Sequence, residues 1–147
     1  MNGSDARIVR LFTARSGGLV EDDTPNASSP RATQFDLILQ AEAGGILGDS
    51  GANYTLTIIA VNDDAVRPEA RLEPTGGPFH EEWSLDHGWR PSGNDFVKTG
   101  PGEPDGIVRY RIAIPEGLNG AFHYNARLVS ANFQVTSFAR SNPFILV

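Results

Sequence analysis

The chain of 147 residues contains no cysteine. This absence excludes a disulfide framework, a thiolate nucleophile and thiolate metal ligands. Lysine is almost as scarce, because Lys98 is the one lysine and every other basic residue is arginine. Arginine suits bidentate ion pairs and interfaces better than lysine does. A coding bias towards arginine, alanine, glycine and aspartate would produce the same composition.

No apolar run approaches the roughly 18 residues of a membrane-spanning helix. The first seven residues, Met1 to Arg7, have neither the charged region nor the apolar region of a secretory signal. The formal net charge of −6 makes the surface repel nucleic-acid phosphates and anionic membranes. We therefore expect a protein partner or self-association, no nucleic acid and no membrane, and a place in the cytoplasm or within an assembled particle.

Turn-forming residues are abundant, with 16 glycines and 10 prolines, while hydrophobic residues make up 39% of the chain. This composition is typical of short strands joined by many loops. The length suits one domain with one core, so residues 1–147 are predicted to form a single domain. The polar residues 15–31, which include Asp22-Asp23 and two prolines, predict a long loop.

Apolar and polar side chains alternate with a period of two in several segments. Tyr54 to Val61 is the strongest of these, and Ile107 to Ile114 and Ala121 to Val129 repeat the pattern near the end of the chain. The sequence therefore predicts an all-β fold, an antiparallel β-sandwich of about seven to nine strands. Ile112 and Leu128 lie in the middle of such segments and are expected in the core.

Ala32 to Ala43 fits a helix less well than a strand. A helix would place Glu42 on the same stripe as Phe35 and Ile38, whereas in a strand only Ile38 interrupts the polar side. The alternation therefore favours a strand here as well.

The segment Gly120-Ala121-Phe122-His123-Tyr124 follows a glycine-containing turn. It resembles the entry to strand F of immunoglobulin-like and fibronectin type III-like sandwiches, where an aromatic residue hydrogen-bonds back across a tight corner. Ala139 to Phe144 is similar to the bent last strand of such domains. The resemblance implies an immunoglobulin-like C-terminal part. The disulfide pair is absent and Leu118 stands where the corner aspartate is expected, so the resemblance concerns the fold and transfers no active site.

No motif for catalysis or metal binding emerges, and no catalytic residue, metal or cofactor is predicted. GxSxG is absent, the serines and carboxylates are scattered, and His87 and His123 are far apart in sequence. His80, Glu82 and Asp86 would share a face of an extended segment, but no second histidine completes a zinc motif. Asp22-Asp23, Asp63-Asp64 and Glu81-Glu82 lack the spacing of a calcium loop. A hydrolase with an unrecognised site remains an alternative.

The leading hypothesis is a non-catalytic protein-interaction or structural module, a subunit of a larger assembly. Arg109, Arg111 and Arg127 are expected on the outward face of adjoining strands, if residues 107–129 form a hairpin. The cluster would bind an acidic partner unless the chain's own carboxylates neutralise it.

The apolar end of the chain supports the same hypothesis. Phe144 and Leu146 share one face and are expected in the core. Ile145 and Val147 share the other and are expected to contact a neighbouring subunit.

A carbohydrate-binding module is the alternative from another class. Phe79, Trp83, His87 and Trp89 cluster in one region, and pyranose rings stack on aromatic faces. The competing interpretation is that these rings close one end of the sandwich as part of its core.

Overall fold

The computed structural model describes residues 6–44, 53–84, 88–130 and 135–147. These residues form eleven strands and one turn of 3-10 helix, Ala70–Leu72. The strands are β1 Ala6–Arg15, β2 Gln34–Ala43, β3 Tyr54–Asn62, β4 Arg67–Pro68, β5 Phe79–Trp83, β6 Trp89–Ser92, β7 Asp95–Lys98, β8 Val108–Ala113, β9 Gly120–Ser130, β10 Val135–Arg140 and β11 Phe144–Leu146.

Two antiparallel sheets make up the fold, so the predicted sandwich is confirmed. The five-stranded sheet has the order β1-β2-β7-β6, and β8 also pairs with β2. The six-stranded sheet has the order β10-β9-β3-β4, with β11 beside β9 and β5 beside β3. The strand count exceeds seven to nine because it includes very short strands, such as β4 with two residues and β11 with three.

The prediction of a strand over residues 32–43 is confirmed by β2. Its alternation turns Phe35 and Leu37 towards the other sheet. Asp36 and Ile38, on the opposite face, are also fully buried. Ile38 belongs to a second, smaller apolar cluster that includes Phe12 of the neighbouring strand β1. Because both of its faces are covered, β2 is a central strand.

The main core lies between the two sheets. Ile112 and Leu128 are both buried there, as predicted. Phe144 stacks on Tyr124 with ring centroids 5.5 Å apart, and it packs against Phe35 at 5.4 Å. The last strand of the chain therefore contributes the middle ring of an aromatic cluster.

The predicted hairpin between residues 107 and 129 does not form. Strand β8 pairs with β2 in the five-stranded sheet, whereas β9 pairs with β3 in the six-stranded sheet over nine residue pairs. The two strands bury their apolar faces against the core from different sheets rather than lying side by side. The turn of residues 114–119 thus crosses from one sheet to the other.

The expected immunoglobulin-like corner is also absent. The Tyr124 hydroxyl donates to the carbonyl of Leu72, 2.5 Å away in the 3-10 turn, and not back across its own turn. Both β10 and β11 pair with β9, so the bend around Pro143 does not move the chain between sheets. The resemblance therefore extends to the sandwich class and not to these details.

One side of the sandwich is closed by contacts between the edges of β1 and β10. The amide of Ile8 donates to the Ser137 hydroxyl at 3.0 Å, and the amide of Thr13 donates to Asn142 Oδ1 at 2.9 Å. On the opposite side, where β5 faces β7 and β8, a pocket remains between the sheets.

Candidate functional site

Arg109 does not belong to an outward cluster of arginines. Its side chain is 11% exposed, and Nη1 donates to Asp36 Oδ2 and to the Gly18 carbonyl, both at 2.7 Å. Nε donates to Glu103 Oε1 at 2.9 Å. The hydrogen bond with Glu103, followed by that with Asp36, raises the pKa of Arg109. The chain's own carboxylates thus neutralise this arginine inside the fold.

Arg111 and Arg127 are also separated from each other. Arg111 is 57% exposed, and its Nε lies 3.6 Å from Asp36 Oδ1, too far for a hydrogen bond. Arg127 lies on β9 in the other sheet. The expected outward cluster does not form, because Arg109 is held in buried ion pairs and because Arg111 and Arg127 lie on two different sheets.

The aromatic residues proposed for carbohydrate binding do not form an open platform. Phe79, Trp83 and Trp89 are all buried, with at most 8% of their surface exposed. The two indoles meet edge to face with centroids 5.6 Å apart, and Phe79 meets Tyr110 in the same way at 5.2 Å. His87 lies outside the described residues. These rings fill the space between the sheets, so their stacking surfaces are occupied.

The outward surface of the six-stranded sheet is the first candidate site, and we call it the β9 face. It consists of the outward-pointing residues of β3, β5, β9, β10 and β11. Strand pairing sets one row across it: Phe138 pairs with Arg127, Arg127 with Thr57, and Thr57 with His80. Ile59 lies two residues further along β3, and Ile145 pairs with Ala121 at the end of β9.

Apolar and charged side chains are exposed together on the β9 face. Phe138 is 71% exposed, Ile145 50% and Ile59 39%. No ion pair joins Arg127 to a carboxylate in the described part of the chain. Glu82 accepts a hydrogen bond from the Thr55 hydroxyl at 3.0 Å and is exposed. A groove of about 380 Å³ runs between Glu82, His80 and Arg127.

Two residues singled out from the sequence, Arg127 and Ile145, thus lie on one face. Val147 is exposed immediately beyond β11. Phe138 is the main residue that the sequence analysis missed. Phe138 and Arg140 are two residues apart, so their side chains point to the same side of a strand. Because Arg140 is charged, the alternation in residues 135–140 predicts that Phe138 also points outward.

The backbone of the last strand is covered on both edges. On one edge it pairs with β9. On the other, the amide of Ile145 donates to the Asp23 carbonyl at 2.7 Å, and the Asn26 side chain bonds both the amide and the carbonyl of Val147. Ile145 and Val147 are therefore available through their side chains only, because the loop after β1 covers the free edge of the strand.

The second candidate site is a pocket of about 490 Å³ on the open side of the sandwich. Lys98, at the end of β7, is 4% exposed, and its Nζ lies 4.8 Å from the centroid of the Trp83 ring and 5.7 Å from that of Trp89. An ammonium over an indole face is stabilised by the ring quadrupole. The single lysine of the chain thus lines a cavity, beside the aromatic pair.

A carboxylate and a phenol line the same pocket. Glu81 Oε1 accepts the indole N–H of Trp83 at 2.6 Å, and Glu81 Oε2 lies 3.4 Å from the Tyr110 hydroxyl. Burial raises the pKa of Tyr110 well above its usual value. Burial also lowers the pKa of Lys98 to about 8, against the opposing charge of Glu81.

Gly88 shapes the wall of this pocket. Its carbonyl accepts the amide of Thr99 at 2.7 Å, and its φ is +82°. A Cβ at this position would lie 2.4 Å from the Thr99 carbonyl oxygen. Only glycine permits this close approach of the two segments, which brings Lys98 to the pocket wall.

Lys98 is expected to make the free energy of unfolding rise with pH between about 8 and 10.5. The unfolded chain keeps the ammonium proton up to the ordinary pKa of 10.5, whereas the folded chain releases it near 8. The unfolded state binds more protons in this window, so stability increases with pH. Tyr110, with its raised pKa, acts in the opposite direction only above about pH 10.

Urea unfolding of the wild type and of Lys98→Met at pH 7 and pH 9.5 measures this effect. The stability of the wild type relative to the variant should increase between the two pH values. A difference that stays constant would show that Lys98 titrates normally in the folded protein.

Other polar groups of the described chain serve the fold. His123 Nδ1 lies 2.7 Å from Asp63 Oδ1 and ties β9 to the end of β3. Within residues 6–44, 53–84, 88–130 and 135–147, no three His, Asp or Glu side chains are placed to hold a metal ion. His80 and Glu82 both lie on β5, while Asp86 is outside the described residues. No helix in these ranges is long and apolar enough to span a bilayer.

Comparison with known proteins gives little to add. No family model matches the chain, and no curated protein matches it. A solved structure, the CooA pilin subunit from enterotoxigenic Escherichia coli, matches with a TM-score of 0.34 and 10% identity over 90% of this chain and 97% of that one. A TM-score of this size does not establish a common fold, so no property of that subunit is transferred to this chain.

Proposed function

We propose that this chain is a non-catalytic protein-interaction module, a subunit that associates with further copies of itself through the β9 face. The exposure of Phe138, at 71% on the outside of a sheet, carries the proposal. Burying a large apolar side chain is worth roughly 1.5–3 kcal/mol relative to water. Ile59 and Ile145 extend the apolar part of the same face. A mixture of aromatic, aliphatic and arginine side chains is typical of interfaces.

The distribution of charge favours a second copy as the partner. Arg127 on β9 and Arg140 on β10 lie on one side of the β9 face, while the exposed carboxylate Glu82 lies on β5, two strands from β9. A two-fold axis along the strands, between β9 and β3, would place β10 of one copy over β5 of the other. Phe138 would then cover His80 of the second copy, and Arg127 would reach towards Glu82. The face is thus complementary to itself.

The size of the face predicts weak association. The face is four strands wide, because β10 and β11 follow each other along the same edge of β9. With strands spaced about 4.8 Å apart and about 30 Å long, as for the nine residues of β3, it projects an area of roughly 600 Å². Stable complexes bury about 800 Å² per partner. Association is therefore expected in the micromolar range or weaker, and avidity within a larger assembly would strengthen it.

Phe138→Ser is expected to raise the dissociation constant of self-association at least tenfold, because the variant loses the apolar burial of Phe138. Sedimentation velocity over a concentration series up to several hundred micromolar measures this. Val20→Ser is the matched control, since Val20 is 80% exposed in the loop after β1, and β1 belongs to the other sheet. A wild type that stays monomeric throughout the series, or an equal effect of both variants, contradicts the proposal.

A further inference from the structure

We propose that the Lys98 pocket is a binding site for a small aldehyde, which Lys98 holds reversibly as an imine. This inference is independent of the β9 face, because the pocket lies between the sheets and none of its lining residues belongs to that outward face. The pocket is large enough for a small molecule. Its walls near the amine combine the apolar side chain of Val108, the ring of Tyr110 and the carboxylate of Glu81.

Burial favours the neutral, nucleophilic form of Lys98, while Glu81 and the two indole rings favour the ammonium. Among the described residues, the charged groups that line the pocket besides Lys98 are Glu81 on β5, Arg90 on β6, Glu103 in the following loop and Arg109 on β8. Arg109 and Glu103 are bonded to each other, and Arg90 pairs with Asp105 at 3.8 Å. With a pKa of about 8, roughly one Lys98 in ten is neutral at pH 7, against fewer than about one in a thousand for an ordinary lysine.

The groups needed for imine formation are at hand. The lone pair of Nζ attacks the carbonyl carbon, and the π electrons of the carbonyl move to its oxygen. Glu81 takes the proton released by the nitrogen and passes it to this oxygen, which gives a carbinolamine. Glu81 then takes the remaining proton of the carbinolamine nitrogen and passes it to the hydroxyl group, which leaves as water as the carbon–nitrogen double bond forms. The overall change is amine plus aldehyde to imine plus water, and no oxidant or reductant takes part.

Tyr110 is a positioning residue in this scheme. Its hydroxyl is directed at Glu81 Oε2, while the indole of Trp83 holds Glu81 Oε1. The carboxylate is thus oriented from both sides. Tyr110→Phe should slow imine formation several-fold without preventing it, since the Trp83 contact remains.

Reductive labelling of the full chain tests the inference. Butanal and sodium cyanoborohydride at pH 7 convert any imine into a stable secondary amine, which intact mass and peptide mapping then locate. Arg31→Lys supplies an ordinary exposed lysine in the same molecule, because Arg31 lies exposed in the loop between β1 and β2. In this variant Lys98 should be labelled at least about tenfold faster than the introduced lysine.

Burial alone predicts the opposite order, so the comparison is decisive. Labelling of Lys98 that is equal to or slower than that of the introduced lysine overturns the inference, as does label found only at the amino terminus. Lys98→Arg should lose the internal label entirely while keeping that of the terminus. A melting temperature for each variant shows that the folded protein was labelled.

Discussion

Phe144→Ala is expected to lower the free energy of unfolding by about 3–5 kcal/mol. The ring is 1% exposed and lies in contact with Phe35, Phe122 and Tyr124. Its removal would leave a cavity among side chains held by two strands, β2 and β9, which relax only in part. Urea unfolding followed by tryptophan fluorescence measures the change.

Ile145→Ala is the matched control for this prediction. Ile145 is the next residue of β11, and its side chain is 50% exposed. Its truncation should cost well under 1 kcal/mol of stability. If Phe144→Ala costs no more than Ile145→Ala, the chain end is not part of the core and the account of the aromatic cluster is wrong.

Asp36→Ala is expected to destabilise the protein by about 3 kcal/mol. Asp36 is fully buried, and its Oδ2 accepts hydrogen bonds from Arg109 and from the amide of Gly17, both at 2.7 Å. The substitution leaves both donors without this partner. We expect the lower end of the range for broken buried ion pairs, because Glu103 still faces the guanidinium.

A double-mutant cycle with Arg109→Met isolates the ion pair. The double variant should be less destabilised than the sum of the single variants, because it removes both charges together. Arg111→Ala provides an exposed comparison and should change stability by less than about 1 kcal/mol. Additive effects of Asp36→Ala and Arg109→Met would show that the two side chains are not coupled.

Much of the fold could be predicted from the period-two pattern. The alternation in residues 32–43, 54–61, 107–114 and 121–129 identified β2, β3, β8 and β9, and it placed Ile112 and Leu128 in the core. Such a pattern records which side of a strand is apolar, because this depends only on the residues of that strand. The sandwich class follows from it directly.

The pairing of strands could not be predicted in the same way. Strands β8 and β9 follow each other closely and have similar patterns, yet they belong to different sheets. Two consecutive strands with apolar inner faces can both bury these faces whether they lie side by side in one sheet or opposite each other across the core. The alternation therefore does not distinguish the two arrangements. The arginine cluster depended on that choice and was therefore misplaced.

The aromatic region shows a second limit. Trp83 and Trp89 give the same sequence signal whether they are exposed for ligand stacking or buried in the core. In the structure, polar groups accompany the buried Trp83: its indole N–H donates to Glu81, and the Lys98 ammonium lies over its ring. Lys98 is distant from Trp83 in sequence, and no local spacing indicates that these two residues meet. The pocket around Lys98 was for this reason not anticipated.

Cross-linking between introduced thiols tests the association through the β9 face most directly, because the chain has no cysteine of its own. The proposed two-fold arrangement places Phe138 of one copy over His80 of the other. The same arrangement places Val129 on β9 over Thr55 of the other copy, since the two residues pair across β9 and β3. A mixture of Val129→Cys and Thr55→Cys, which keeps Phe138, should therefore give a cross-linked heterodimer in high yield with a short bismaleimide. A mixture of Val20→Cys and Thr55→Cys should give little. Equal yields from the two mixtures would contradict association through this face.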